Sequence, residues 1–470
     1  MKVIYLTISL LIAITSGAVA QDVQIQKLPF SSSSNNEMSP FLRDSILYYS
    51  SNQPVSFLKR YYDDNKQLLY HIFSAQLNAD STFTKPVRFE KDFLSPFNTG
   101  SITFSEDGNV MFVGQNHYDT YKRSQRSRSG NLMGVYQSEM GNRGWSRKNN
   151  LPFNSRRNYN TAQPTISSDG QFLFFISDME EGYGKTDIYY SEKINEEWGP
   201  AINMGDKINT SESELFPFYH SSGKLYFASN GHGGKGGLDL FYSLQTEEGW
   251  STPIALDDDI NTEANDFSCF ISEDEQWGFF GSDRDGTDNL YRFDRLFPIF
   301  EACELQQEDS YCFEFYDDMT LEADDTEGPY KYQWTFNNTD KAMGDTVLYC
   351  FKGPGEYSVK LSMIDTSIGE EIFALSEYTI DVTRIEQIYI TAQEDIKINQ
   401  EITFDVTESH LGDFTPKEFY WDMGDGTLLK GETIHHIFRT KGKYLIKCGA
   451  ISTKHPLLKM CSIKEIIVSD

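Results

Sequence analysis

The chain has 470 residues, 14% of them aromatic, and carries 70 Asp and Glu against 41 Lys and Arg, a formal charge of −29. That balance excludes a general nucleic-acid binder, whose phosphate contacts need a basic surface, and the aromatic content excludes a disordered chain. The length leaves room for two or three domains.

Lys2, the apolar run at residues 3–14 and Ala18-Val19-Ala20 ahead of Gln21 predict a secretory signal over residues 1–20. No later apolar stretch reaches the roughly 20 residues that a membrane-crossing helix needs. The mature chain is therefore expected to be exported, periplasmic, outer-membrane-associated or extracellular, with no transmembrane span.

A β-strand pattern then recurs five times. Its clearest copy runs from Pro164 through Ser167-Ser-Asp169-Gly170 and Phe172-Leu-Phe-Phe-Ile-Ser177 to Asp187-Ile-Tyr-Tyr and Trp198-Gly-Pro200. The next repeats it from Pro217 to Trp250 and Pro253. Copies start at residues 40, 102, 164, 217 and 269, which are 62, 62, 53 and 52 residues apart, the period of one four-stranded propeller blade with its loops. Asp-Gly supplies the positive-φ position of a tight strand-to-strand turn. The Trp-x-Pro segment suits an outer strand, where proline costs no ladder hydrogen bond.

The last copy, with inner strands expected at residues 276–282 and 289–294, lacks that outer strand. Leu28-Pro-Phe30, ahead of Pro40, parallels Leu151-Pro-Phe153, ahead of Pro164. Residues from Val23 on are therefore predicted to complete the last blade, closing five blades rather than six over residues 21–300.

Beyond Phe297-Pro298 a second duplication begins. Tyr332-Gln-Trp334, Gly344, Phe351 and Gly355-Glu-Tyr357 match Phe419-Tyr-Trp421, Gly431, Phe438 and Gly442-Lys-Tyr444. Two β-sandwiches, each with one buried Trp, are expected over 301–384 and 385–470, so the whole chain reads as all-β. In an exported protein its cysteines can form disulfides. Cys448 and Cys461 flank a turn and could face each other across a hairpin, Cys303, Cys312 and Cys350 allow more than one pairing, and Cys269 reads as a buried thiol.

Trp421-Asp-Met-Gly-Asp425-Gly426 with His435-His-Ile-Phe438 and Gly442-Lys-Tyr444 resembles the polycystic-kidney-disease (PKD) domain. The first copy, with Asn337-Asn338 at the turn, resembles a degenerate member. The resemblance implies an Ig-like spacer or binding module. The blades resemble the TolB-type, WD-like propeller repeat, in the form found in envelope proteins associated with type IX secretion and gliding. That likeness implies an accessory or scaffold protein that binds a protein partner through a propeller face.

Between residues 120 and 160, nine Lys and Arg face a single Glu. Lys122, Arg123, Arg126, Arg128, Arg143, Arg147 and Lys148, with Arg156 and Arg157 beyond them, are the candidate contacts for an acidic partner or glycan. Asp283, Asp285 and Asp288 are the residues a calcium ion would take, although Asp and Asn in the other blades favour turn capping there and no metal or other cofactor is expected. The Gly-rich stretch at residues 231–237 reads as a hairpin connection. With no nucleophile elbow and no His-Glu-x-x-His helix, the expectation is a non-enzymatic envelope binding protein. The alternatives are a secreted carbohydrate-binding protein and a propeller glycoside hydrolase.

Overall fold

The computed structural model describes residues 23–54, 68–89, 98–117, 132–146, 148–246, 249–300, 303–316, 329–393, 395–454 and 458–470. The predicted signal at 1–20 lies outside them. The chain divides into two compact units, residues 1–298 and 299–470.

The first unit is a propeller of five antiparallel sheets. From the hub outward the first blade uses Glu37–Arg43, Ile46–Ser51, His71–Gln76 and Val87–Arg88; the second uses Thr99–Phe104, Val110–Asn116, Met133–Gly141 and Asn149–Asn150. Thr161–Ile166, Phe172–Ser177, Asp187–Ile194 and Ile202–Asn203 make the third, and Glu214–Tyr219, Lys224–Ser229, Asp239–Thr246 and Ile254–Ala255 the fourth. The fifth has Asp266–Ile271, Trp277–Ser282 and Asn289–Arg295, completed by Val23–Lys27, which pairs along Asn289–Arg295 from Val23 opposite Arg295 to Lys27 opposite Tyr291. Closure by the leading strand is thus as expected.

The outer strands break at the expected prolines. Glu197–Trp198 and Ile202–Asn203 both pair with Asp187–Ile194, leaving Pro200 between them. Ser191 spans the break by donating to the Gly199 carbonyl at 2.9 Å, as Ser243 does to Ser251 at 2.7 Å and Ser138 to Ser146 at 2.8 Å. Apolar cores fill the gaps between blades. Leu28 joins Leu47, Tyr49, Phe73, Phe279 and Leu290 where the ring closes.

The tight turns also follow the repeat. Gly108 and Gly170 adopt φ of +68° and +71°, while Asp107 and Asp169 accept hydrogen bonds from Ser105 and Ser167 at 2.6 and 2.5 Å. In the fifth blade Glu275 replaces the glycine at φ +56°. Its buried carboxylate meets Lys224 at 2.9 Å, Ser222 at 3.2 Å and Tyr226 at 3.3 Å, contacts that hold a strained backbone in place.

The second unit holds two sandwiches. In the first, Asp340–Met343, Tyr330–Phe336, Gly355–Asp365 and Glu370–Val382 form one sheet, and Cys312–Tyr316 pairs with Thr346–Cys350 in the other. In the second, a sheet built on Pro416–Asp422, Gly442–Ser452 and Lys459–Ser469 packs on Thr391–Ala392, Glu401–Asp405 and Thr433–Ile437. Each buried Trp donates from its indole to the carbonyl of a positive-φ glycine: Trp334 to Gly344 at 3.1 Å and Trp421 to Gly431 at 2.8 Å. Asn337 and Asn338, at φ +49° and +59°, make the turn that Gly424 and Gly426 make in the other copy, since Asn tolerates the left-handed region.

The expectation for Cys448 is corrected. Cys461 is bonded to Cys303, Cys312 is bonded to Cys350, and Cys448 and Cys269 are buried free thiols. In the register of the last hairpin Cys448 lies opposite Ser462 and Cys461 opposite Gly449. One residue out of step in an antiparallel pair puts the two side chains on opposite faces. The Cys303 bridge is accompanied by Glu304–Leu305, which pairs in parallel with Lys459–Ser469. The segment preceding the first sandwich in the chain is therefore a strand of the second.

Candidate partner-binding face

Strand direction gives the ring two unlike faces. One carries the tight turns, such as residues 105–108 and 141–144. On the other each blade's inner strand begins, next to the loops from the second strand to the third and from the outer strand to the next blade.

Five buried polar residues open the inner strands on that second face: Glu37, Thr99, Thr161, Glu214 and Asp266. Each precedes its repeat start by three residues, a signal present in the sequence but not picked out there. Glu214 accepts from the Thr210 amide at 2.9 Å and from the Thr210 and Ser229 hydroxyls, both at 2.8 Å. Asp266 accepts from Thr262 and from Arg284 at 2.7 Å. Beside them, Asn154, Asn209 and Asn261 each bind the amide and carbonyl of a third-strand residue, Val135, Ile188 and Leu240. These groups stiffen the loop face.

Thr99 Oγ1 and Glu37 Oε2 are buried without a hydrogen-bond partner, and of the two Glu37 is the one that titrates. Burial pushes its carboxyl up to about 8, against the opposing influence of Ser31 and Lys27 and with the help of Asp288. A carboxyl that binds its proton more tightly folded than unfolded lends stability at low pH and withdraws it as pH rises from about 4.5 to about 8. Glu37→Gln is expected to remove that dependence. The difference in thermal midpoint between E37Q and wild type, measured at pH 5 and pH 8.5, should grow in favour of the variant; an equal difference at both pH values would contradict the assignment.

Five bulged inner strands surround the hub. Every inner pair shows a register shift there, and Ser39, Gln163, Phe216 and Ser268 take φ between +48° and +55°. Ser101 donates to Ser39 at 2.7 Å, the Ser39 amide to the Ser268 hydroxyl at 3.1 Å, and the Phe216 amide to Gln163 at 2.6 Å. The pocket they line is narrow and open to solvent, with little more than water-sized room and far short of a ligand cleft. Its lining is Ser, Thr, Gln, Pro, Ile and Phe, with Cys269, whose thiol burial pushes up.

Of the predicted basic contacts, Lys122, Arg123, Arg126, Arg128 and Arg147 lie outside the described residues. Arg143 is exposed in the turn after Met133–Gly141, on the tight-turn face. The strand before it is nine residues long, so about 25–30 Å separates Arg143 from the loop face at Met133. Lys148 donates to Gln115 Oε1, and burial lowers its ammonium to about 8. Arg156 and Arg157 are exposed on the loop face, beside His117, whose ring meets Tyr136 Oη at 2.6 Å and the Ser155 carbonyl at 2.9 Å. The described part of the basic run is thus divided between two faces.

The three aspartates do not converge on one point. Asp283 accepts from the Asn265 amide and side chain at 2.8 and 2.6 Å, and Asp285 from Tyr291 at 2.8 Å and Lys27 at 3.2 Å. The Asp288 carbonyl accepts from the Glu37 amide at 2.8 Å. Among the described residues no group of three or more His, Cys, Asp or Glu is arranged to hold a metal ion.

Residues 385–450 match the family model of the PKD domain. A 127-residue stretch is 25% identical to human polycystin-1, covering 25% of this chain and 3% of that protein. The chain thus spans a small fraction of the curated relative it matches.

Among solved structures it is similar to TolB from Acinetobacter baumannii, at 12% identity and a TM-score of 0.31 over 67% of this chain and 60% of that one. A family 117 glycoside hydrolase from Zobellia galactanivorans is similar at 14% identity and a TM-score of 0.35, over 58% of this chain and 90% of that one. Scores of this size decide no role; the propeller is read from its own strand pairing. A PKD module and two disulfides are features of an extracellular or envelope protein. No helix among the described residues is long and apolar enough to cross a membrane.

Proposed function

We propose that this chain is a non-enzymatic cell-envelope binding protein, exported by its leading segment, whose propeller recruits a protein partner through the loop face while the PKD pair acts as spacer or second contact. The observation that carries this reading is the hub. Its lining presents Ser, Thr, Gln, Pro and apolar side chains, neutral groups that suit contact with a protein surface. The buried carboxylates Glu214 and Asp266 are engaged by their own loops. The repeat's likeness to propellers associated with type IX secretion and gliding supports an accessory role in that machinery.

The test is crosslinking and co-purification from cells producing wild type, the triple variant R123E/R126E/R128E or the pair R156E/R157E. Envelope secretion components are expected with wild type, reduced at least tenfold in one of the two variants. Retention on polysaccharide without protein partners would replace this reading with carbohydrate binding, and glycoside turnover would replace it with catalysis.

A further inference from the structure

The two sandwiches repeat with an offset of 87 residues, as Trp334 with Trp421 and Phe351 with Phe438 show. At that offset Glu304 and Leu305 stand where the second copy has Thr391 and Ala392. Thr391–Ala392 pairs with Glu401–Asp405 inside its own module, and Ile396–Lys397 covers the end of Lys459–Ser469 at Val468 and Ser469. Glu304–Leu305 instead covers the same strand at Ser462 and Ile463, fixed there by the Cys303–Cys461 bond. The last strand of the second sandwich thus has its outer edge covered twice. Its counterpart in the first, Glu370–Val382, pairs only with Gly355–Asp365 among the described residues.

This bare edge has a definite chemistry. Its leading half is interrupted by register shifts that leave out Leu375 and Ile372, irregularities that protect an edge from pairing. Residues 376–382 run in unbroken register. Along them Glu377 and Asp381 point to one face, and Tyr378, 40% exposed, and Ile380 to the other. Asp381 lies opposite Glu356 on the neighbouring strand, a like-charge pair that a cation would relieve. The whole strand carries Glu370, Glu371, Glu377 and Asp381 and no Lys or Arg.

We propose that residues 376–382 form a β-augmentation site for an extended segment of a partner protein in which apolar residues alternate with Lys or Arg. The apolar set packs beside Tyr378 and Ile380, the cations face Glu377 and Asp381, and main-chain hydrogen bonds supply sequence-independent affinity. The covered edge of the second sandwich is the internal precedent for such a strand. A second copy of this chain is a poor occupant, because its own edge would set acid against acid. The site is independent of the propeller's loop face, so either assignment can fail alone.

The probes are two blocked decapeptides, one alternating Lys and Val and one alternating Glu and Val, titrated against the full-length mature chain. The Lys peptide is expected to bind at least tenfold more tightly and to slow amide exchange at residues 376–382. E377K/D381K, which changes exposed side chains only, should invert the preference. Glu465→Lys, on the covered counterpart strand, should leave it unchanged. The proposal is overturned if the Lys peptide binds without protecting 376–382, if the reversal leaves the preference intact, if neither peptide binds at 1 mM, or if the edge proves buried in a homodimer.

Discussion

A chain lacking residues 23–30 is expected to lose the cooperative unfolding transition of its propeller. Deletion removes all five residue pairs between Val23–Lys27 and Asn289–Arg295. It also removes Leu28, 3% exposed in the closing core, and Phe30, which stacks on Tyr49 at 5.0 Å and meets Phe83 edge-on at 5.4 Å. Leu28→Ala alone should cost about 2–5 kcal/mol by the usual toll of a buried leucine. Full deletion moves the open edge of that sheet inward to Asn289–Arg295, a longer strand whose backbone groups lose their partner, with aggregation as the consequence. Calorimetry of residues 21–470 reads both effects, and a peptide spanning residues 23–36 should restore the transition when added in excess. A propeller transition within about 3 °C of wild type after deletion would show that the ring does not depend on its leading strand.

Trp421→Ala should unfold the second sandwich selectively. Trp421 is 1% exposed, lies in the module's core with Phe404, Met423 and Phe438, and gives its indole proton to Gly431. A buried Trp→Ala costs about 3–5 kcal/mol, and in a domain of this size each kcal/mol lowers the midpoint by about 4–8 °C. The transition of that module should therefore fall by at least about 12 °C while the propeller's stays in place. A shift below about 3 °C would mean that the indole is not the keystone its burial indicates.

Much of the fold was legible because its determinants are local and repeated. Asp107-Gly108 and Asp169-Gly170 announce turns wherever they occur, and the missing outer strand after Asn289–Arg295 identifies the place where Val23–Lys27 must go. Connections set by a single residue of register were less legible. Cys448 and Cys461 flank one hairpin in sequence, yet their alternation across the sheet sends one into the core and the other out to Cys303. Sequence proximity also hides the length of Met133–Gly141, which carries Arg143 to the face opposite Arg156 and Arg157. Glu37 was visible as the counterpart of Glu214 three residues before a repeat start. Its unmet oxygen depends on which loop folds over it: Thr210 and Ser229 together serve Glu214, whereas the hydroxyl that reaches Glu37 is that of Ser31.

The bond between Cys303 and Cys461 also settles how tension would travel. These cysteines are 158 positions apart, and the whole first sandwich lies between them. A pull applied ahead of residue 303 and beyond residue 461 crosses directly through the sulfur bridge, so the intervening polypeptide hangs as a slack, covalently closed loop. The first sandwich is spared that load, and a tether under strain could keep its open edge folded and presentable.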